Sequence, residues 1–337
     1  MEGRSPWYLA YRRLRRNRVA LAFGALFLAI VLFVLAAPLW ASRVADTGPN
    51  ETHTTERVEV GGEQREVVNR EGRPIGPLWL GAGGKFFLGA DGRLGRDEMV
   101  RLMYGGRTSL LVGFLSTLIA TLLATTLGLL AGYYRGWADT VISRSLDVIW
   151  AFPVTLLAIA LGLALATGGL QIGPLELSSG SIWIPILIIA FVYTPYMARP
   201  IRGEVLALRE KEFVEAAVAQ GAGPLRVMFG ELLPNLLSTL IVFFTLGVAQ
   251  NMLLESMLSF LGVGVQAPNT SWGTMIGDGF ELISTAPLLT VVPGTMILLT
   301  VLAINIVGDG LRDALDPKSK VRIEARTGIA ERKGTAV

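Results

Sequence analysis

Long uncharged stretches alternate along this chain with short polar connections. Crossing the hydrocarbon core takes roughly 20 consecutive apolar residues in a helix. Six stretches qualify: residues 19–42, 108–134, 138–166, 182–200, 236–254 and 286–308. The first two carry no charge. The third contains Pro153 and the fourth contains Pro185 and Pro195. Such prolines are tolerated inside spans because neighbouring groups satisfy the freed backbone. Residues 256–277 are also uncharged, yet Gln266, Pro268, Asn269 and Ser271, interleaved with Gly262, Gly264, Gly273 and Gly277, read as a loop or re-entrant segment. The pattern predicts an all-α, polytopic membrane protein with six transmembrane helices.

Composition agrees. The chain has 337 residues, 52% hydrophobic and 17% charged, where a soluble domain carries about 25% charged residues. The formal net charge is +3 and the isoelectric point is near 9.3. The basic residues sit in particular loops, which points to membrane orientation and not to nucleic acid. The absence of cysteine excludes disulfides and thiolate metal sites. The one histidine, His53, lies in a polar stretch and reads as an exposed surface residue, not a metal ligand.

Lys and Arg in short loops mark the cytoplasmic side. Residues 1–18 hold six arginines (Arg4, Arg12, Arg13, Arg15, Arg16 and Arg18) against Glu2. They predict a cytoplasmic N-terminus and an uncleaved anchor, since the apolar run is too long for a signal peptide. Six spans return the tail, 309–337, to the cytoplasm, and its seven Lys or Arg agree. Segments 167–181 and 255–285, expected outside, carry none. Segment 43–107 is expected outside although it holds ten; long loops translocate largely regardless of charge. Within it, residues 57–75 alternate Val with Glu and Arg around Gly61-Gly62, which predicts a β-hairpin. The insert is too short for a large core of its own.

The loop between the fourth and fifth spans, 200–235, is the most informative. Glu212 to Gln220 are fair helix formers, Gly221-Ala222-Gly223 breaks the run, and Pro224 suits the first position of a new helix. The expected pair is one short helix before Gly221 and a second over 224–233 that stops near Pro234. Glu215 is placed to meet a basic residue of a partner, and Ala216 and Ala217 keep that surface small. A rigid protrusion that pushes on the spans and a solvated amphipathic loop fit these residues equally well.

The spacing Glu215-Ala216-Ala217, then Gly221, then Leu233-Pro234, is similar to the coupling motif of binding-protein-dependent ABC importer permeases. Glu231 stands where that motif carries a branched aliphatic residue. Further stretches resemble the C-type member of the dipeptide and oligopeptide permease pair: Gly95-Arg96-Asp97 with Arg101 to Leu110, Ala131 to Asp139, Ser259 to Gln266 with Ser271-Trp272-Gly273, and Gly308 to Pro317. Leu88-Gly89-Ala90-Asp91 departs from that branch, lacking its preceding histidine and its usual spacing to Gly95.

The resemblance implies a type I importer permease fold, with 108–308 as its core. It implies a second permease subunit, one or two cytoplasmic ATPases that dock on the Glu215 loop and bind ATP and Mg²⁺, and an extracytoplasmic solute-binding protein. It implies uptake of di- or oligopeptides, or in some members of metal chelates or sugars, by alternating access. No cofactor is expected in this chain. No Gly-x-x-x-x-Gly-Lys-Ser/Thr sequence is present, and in Gly81-Ala82-Gly83-Gly84-Lys85 the next residue is Phe86. An intramembrane enzyme would need ionisable groups at depth. The candidates are Arg144 with Asp147, three apart on one helix face, and Glu255, all near an interface and read as structural. A stand-alone channel would leave the cytoplasmic loop without a purpose. Trp150, Tyr193 and Tyr196 are candidates to line a pathway, against the commoner reading of aromatic packing.

Overall fold

The computed structural model describes residues 6–79, 83–168, 170–172 and 175–315. Arg4, Gly81-Ala82 and the tail from 316 onward lie outside the described residues. The first helices are α1 (Pro6–Leu14), α2 (Arg18–Leu35) and α3 (Ala37–Trp40), followed by a π-helical turn, Ala41–Ala45. Asn17 starts α2 by accepting the Ala20 N–H at 3.1 Å. The insert then forms the expected hairpin, β1 (Arg57–Val60) antiparallel to β2 (Glu63–Glu66), with Val60 opposite Glu63. Gly61 and Gly62 both have positive φ, 63° and 86°, as the tight turn requires. The insert core is small: Val67, Phe86 and Ala90. His53 is not the exposed residue expected. It is half-buried against Phe86, with ring centroids 5.6 Å apart.

The remaining helices are α4 (Glu98–Tyr134), α5 (Gly136–Trp150), α6 (Val154–Gly168), α7 (Trp183–Arg209), α8 (Glu212–Ala219), α9 (Pro224–Arg226), α10 (Leu233–Phe260), α11 (Trp272–Phe280) and α12 (Leu288–Leu315). A second small hairpin joins α6 to α7: β3 (Leu170–Ile172) and β4 (Leu175–Leu177). Five continuous helical stretches are long and apolar enough to cross a membrane: α2, α4, α7, Pro224–Phe260 and α12. A bent pair, α5 with α6, whose axes turn by 83°, is long and apolar enough to make a sixth if it forms one span. The single span expected over 138–166 is therefore broken at Ala151–Pro153. Pro153 removes an N–H and pushes Phe152 away from helical dihedrals. As expected, 256–277 is not a span; it holds the end of α10, an irregular turn and most of α11.

Small residues set the packing. Along α4, Ala120, Ala124, Gly128 and Gly132 recur every four residues and are all buried. They let α7 approach closely: a Cβ at Gly128 would lie 2.7 Å from Ile201 Cγ2, and one at Gly132 2.6 Å from Val205 Cγ1. Close contact of small-residue ridges drives helix association in lipid, where burial gains little. α1, the α8 region and the end of α12 lie at one end of the bundle. There the Arg13 guanidinium donates to the Ala314 carbonyl at 3.3 Å and Arg135 pairs with Glu210 at 2.6 Å. The insert lies at the other end, where Asn50 donates to the Pro268 carbonyl at 2.8 Å.

Candidate functional site

The loop singled out in the sequence stands out from the bundle as a capped helical turn. α8 ends in a Schellman arrangement: Gly221 N–H donates to Val218 O at 2.9 Å and Ala222 N–H to Ala217 O at 3.0 Å. Gly221 supplies the left-handed residue this motif needs, with φ 86°. Nothing lies within 4 Å of where its Cβ would be, so glycine is required there by backbone conformation and not by crowding. Val214, nearly fully buried, anchors α8 in a cluster with Val227, Met228, Leu232 and Ile201.

The second short helix differs from expectation. α9 does not stop near Pro234 but passes through a π-helical turn, Val227–Leu232, directly into α10. The wider turn brings Pro234 into the first turn of α10, where a missing N–H is harmless. The side-chain amide of Asn235 donates to the Glu231 carbonyl at 2.7 Å. The loop is thus continuous with the fifth span, and a displacement at 224–232 acts directly on α10.

Glu215, Ala216 and Gly221 are exposed, Ala217 is half-buried, and Leu233 packs on the cluster beneath. Glu215 has no ion-pair partner among the described residues. Beside these, Phe213, Val218, Leu225 and Phe229 are exposed on the same protrusion, Leu225 at 67%. Sequence reading passed over these four because each looks like an ordinary apolar position in an amphipathic helix.

The aromatic candidates come together. Tyr193 and Tyr196 stack with centroids 5.9 Å apart, and Trp150 meets Tyr196 edge-on at 5.7 Å. The Arg199 guanidinium lies 3.4 Å from the centre of the Trp150 ring and pairs with Asp147. The Arg144–Asp147 pair exists at 3.6 Å, but Arg199 is the closer partner. One turn on, Arg202 grips Asp139 through two bonds, 2.5 and 2.6 Å. These pairs were missed; they run in reversed order, Asp139 with Arg202 and Asp147 with Arg199, as antiparallel helices place them. Farther along the bundle, Tyr193 and Gln250 line a cleft of about 240 Å³ with Thr155, Leu253 and Met257. Gln250 is exposed midway along α10, and a polar side chain at such depth is a functional candidate.

At the insert end, Arg101 is buried between two carboxylates, Asp91 at 2.8 Å and Asp278 at 2.7 Å. Arg96 bridges the same two acids at 2.5 and 3.1 Å. Asp97 caps α4, accepting Val100 N–H at 3.0 Å and Phe86 N–H at 2.6 Å. The Gly95-Arg96-Asp97 stretch therefore locks the insert onto α4 and α11. Glu255 is fully buried, not merely interfacial, and accepts from the Ser259 hydroxyl at 2.7 Å.

Residues 124–321 match the family described as binding-protein-dependent transport system inner membrane component. Residues 5–55 match the N-terminal transmembrane domain of oligopeptide transport permease C. The chain belongs to this permease family. It is 39% identical over 317 residues to the dipeptide transport system permease protein DppC of Alkalihalophilus pseudofirmus, covering 94% of this chain and 91% of the relative. It is 36% identical to the glutathione transport system permease protein GsiD of Pectobacterium atrosepticum, covering 94% and 93%. It is 33% identical to the oligopeptide transport system permease protein OppC of Haemophilus influenzae, covering 95% and 91%. Among solved structures, the methionine ABC transporter MetNI in an inward-facing conformation superposes with a TM-score of 0.53 at 18% identity, covering 65% of this permease and 97% of that chain. The superposition carries the fold of an ABC importer permease. Membership places the permease in a multi-pass membrane assembly with, in general terms, a second permease, an ATPase and a binding protein.

Proposed function

We propose that this permease imports di- or oligopeptides and receives the ATPase stroke through Glu215, Ala216, Ala217 and Gly221, with Leu233 and Pro234 passing it to α10. The observation that carries this reading is the capped, exposed α8 turn whose second half is continuous with a spanning helix. An ATPase groove closes around the small Ala216–Ala217 surface, a basic residue meets Glu215, and Phe213, Val218, Leu225 and Phe229 become buried in the contact. Motion of the ATPase pair then moves α7 and α10 together. The peptide class rests on relatives named for dipeptides, oligopeptides and glutathione.

The chain itself does not hydrolyse ATP; nucleotide and Mg²⁺ belong to the partner ATPases. It sits in the cytoplasmic membrane with 1–18, 200–235 and 309–337 inside, 19–42 as the first span, 43–107 outside facing the binding protein, and 108–308 as the core. The face carrying Trp150, Tyr193, Tyr196 and Gln250 lines the pathway, closed on its other side by the second permease. Amide and aromatic groups there, with the Arg199 charge beside Trp150 paired to Asp147, suit peptide backbones of varied side chain and leave selectivity mainly to the binding protein. In proteoliposomes holding the full importer, Glu215→Lys and Gly221→Pro are expected to abolish uptake and binding-protein-stimulated ATP hydrolysis while insertion is retained. Wild-type uptake in both variants would overturn the coupling assignment.

A further inference from the structure

An apolar groove of about 370 Å³ opens sideways between α2 and α4. Phe27, Val31 and Leu35 form one wall, Leu111 and Phe114 the other, and Val248 of α10 the floor. Both walls belong to apolar spanning helices, so the groove faces the hydrocarbon. Leu35 and Arg107 stand at its insert end; Phe27 and Phe114 stand about 10–12 Å deeper, at the rise of a helix. The groove therefore has a cationic rim and an apolar bore.

Arg107 is exposed, and no carboxylate pairs with it among the described residues. Its guanidinium lies 5.5 Å from the centre of the Tyr104 ring, and Tyr104, like Trp40, packs on the buried cluster of Ala41, Ala45 and Val100. Aromatic residues of this kind sit at the headgroup level of a bilayer. An arginine at that depth is within reach of the lipid phosphates, and its planar fork fits a phosphate bidentately. We propose that this groove is a binding site for one phospholipid of the leaflet on the insert side, its phosphate on Arg107 and one acyl chain along Phe27, Val31, Leu111 and Phe114. The bound lipid fills the seam between the first span and the core, where α2 meets α4 closely at Gly106, whose Cβ would lie 2.4 Å from Val34 Cγ1. A helix of the second permease is the rival occupant, but packed here it would have to bring its own acid to Arg107.

The test uses the assembled importer in native membranes, with a photoreactive benzoylphenylalanine incorporated at Leu111. After illumination, intact-mass analysis of the permease is expected to show adducts of phospholipid mass. Adding Arg107→Gln should lower the adduct yield several-fold, and adding Phe114→Ala should lower it less. Excess inorganic phosphate should leave the yield unchanged, because the chain and the headgroup bind together. Cross-linking of Leu111 to a polypeptide would overturn the proposal, as would a lipid yield unmoved by Arg107→Gln. Loss of the adduct to inorganic phosphate would show a free-anion site and overturn it as well. Co-purification of the partner subunits with each variant reports that assembly is intact.

Discussion

Arg101 and Asp278, 177 positions apart, meet at 2.7 Å and tie the start of α4 to α11. The same guanidinium holds Asp91 of the insert, so three segments share one buried cation. Removing one member of a buried pair strands the other charge and costs about 3–5 kcal/mol. Asp91→Ala is therefore expected to destabilise the purified permease by roughly 3 kcal/mol, read as a lower midpoint of thermal unfolding in detergent. An unchanged midpoint would show that Arg96 and Asp278 alone satisfy Arg101.

The second ion-pair layer, at the opposite end, should behave as a swap. Arg202 and Asp139 bond through two contacts, so Arg202→Asp places two acids together and should reduce the folded fraction in membranes several-fold. Asp139→Arg combined with Arg202→Asp should recover most of it. Equal yields for the single and double variants would show that the pair contributes nothing to assembly.

The long apolar helices were legible in the sequence because hydropathy over twenty residues is a bulk property. The hairpin was legible because Gly61-Gly62 supplies the positive φ a tight turn needs at no steric cost. The break at Pro153 was not, since a window average is blind to an 83° bend and spans commonly tolerate proline. The run through Pro234 was misread for the opposite reason: the proline signal says stop, and a π turn that no local pattern announces absorbs it. At the candidate site, the helix break at Gly221 was legible from the local pattern, while Glu215 was singled out through the resemblance to the coupling motif. The grouping of Trp150, Tyr196 and Arg199, and the exposure of Gln250, depend on α5, α7 and α10 meeting, which is tertiary information. His53 was misjudged because polar neighbours in sequence do not show that Phe86 covers the ring.

The insert should loosen in acid. Burial works against ionising Glu56, but Lys85 at 2.6 Å and His53 at 2.6 Å outweigh it and hold the carboxyl below its ordinary value of 4.5. A carboxyl whose folded value is depressed adds stability that is complete above its unfolded value and drains away as pH falls through the folded one. Hydrogen exchange in β1 and β2, corrected for intrinsic rates, should therefore accelerate below about pH 4.5. Lys85→Met brings the folded value back toward the unfolded one, so it should flatten that acceleration and raise exchange at neutral pH; identical profiles for the variant and the parent would rule out the pair as its cause.

Glu255 offers a test of a buried carboxyl without a basic partner among the described residues. It lies within reach of the Ser259 and Ser256 hydroxyls, at 2.7 and 3.4 Å, and Ser259 in turn accepts the Val265 N–H at 2.9 Å. The group thus links the end of α10 to the turn that leads to α11. Glu255→Gln keeps the volume and an acceptor and should be well tolerated. Glu255→Ala leaves hydroxyls short of a partner at about 1–3 kcal/mol and opens a cavity besides, so its unfolding midpoint should fall clearly below that of the Gln variant. Matching midpoints would make the carboxyl dispensable.

Gly221 separates conformation from contact in the coupling turn. Open space surrounds its Cβ position, so any substitution fits sterically, and only the φ of 86° resists it. A left-handed residue with a Cβ costs roughly 1–2 kcal/mol, and asparagine bears this best. The expected order of binding-protein-stimulated ATP hydrolysis in the reconstituted importer is therefore Gly221, then Asn, then Ala, then Val. If the turn only fills a groove, side-chain size sets the order, and Ala should outperform Asn. An Asn variant that couples better than the Ala variant would therefore show that the left-handed cap after α8, and not the smallness of the residue, transmits the stroke to α10.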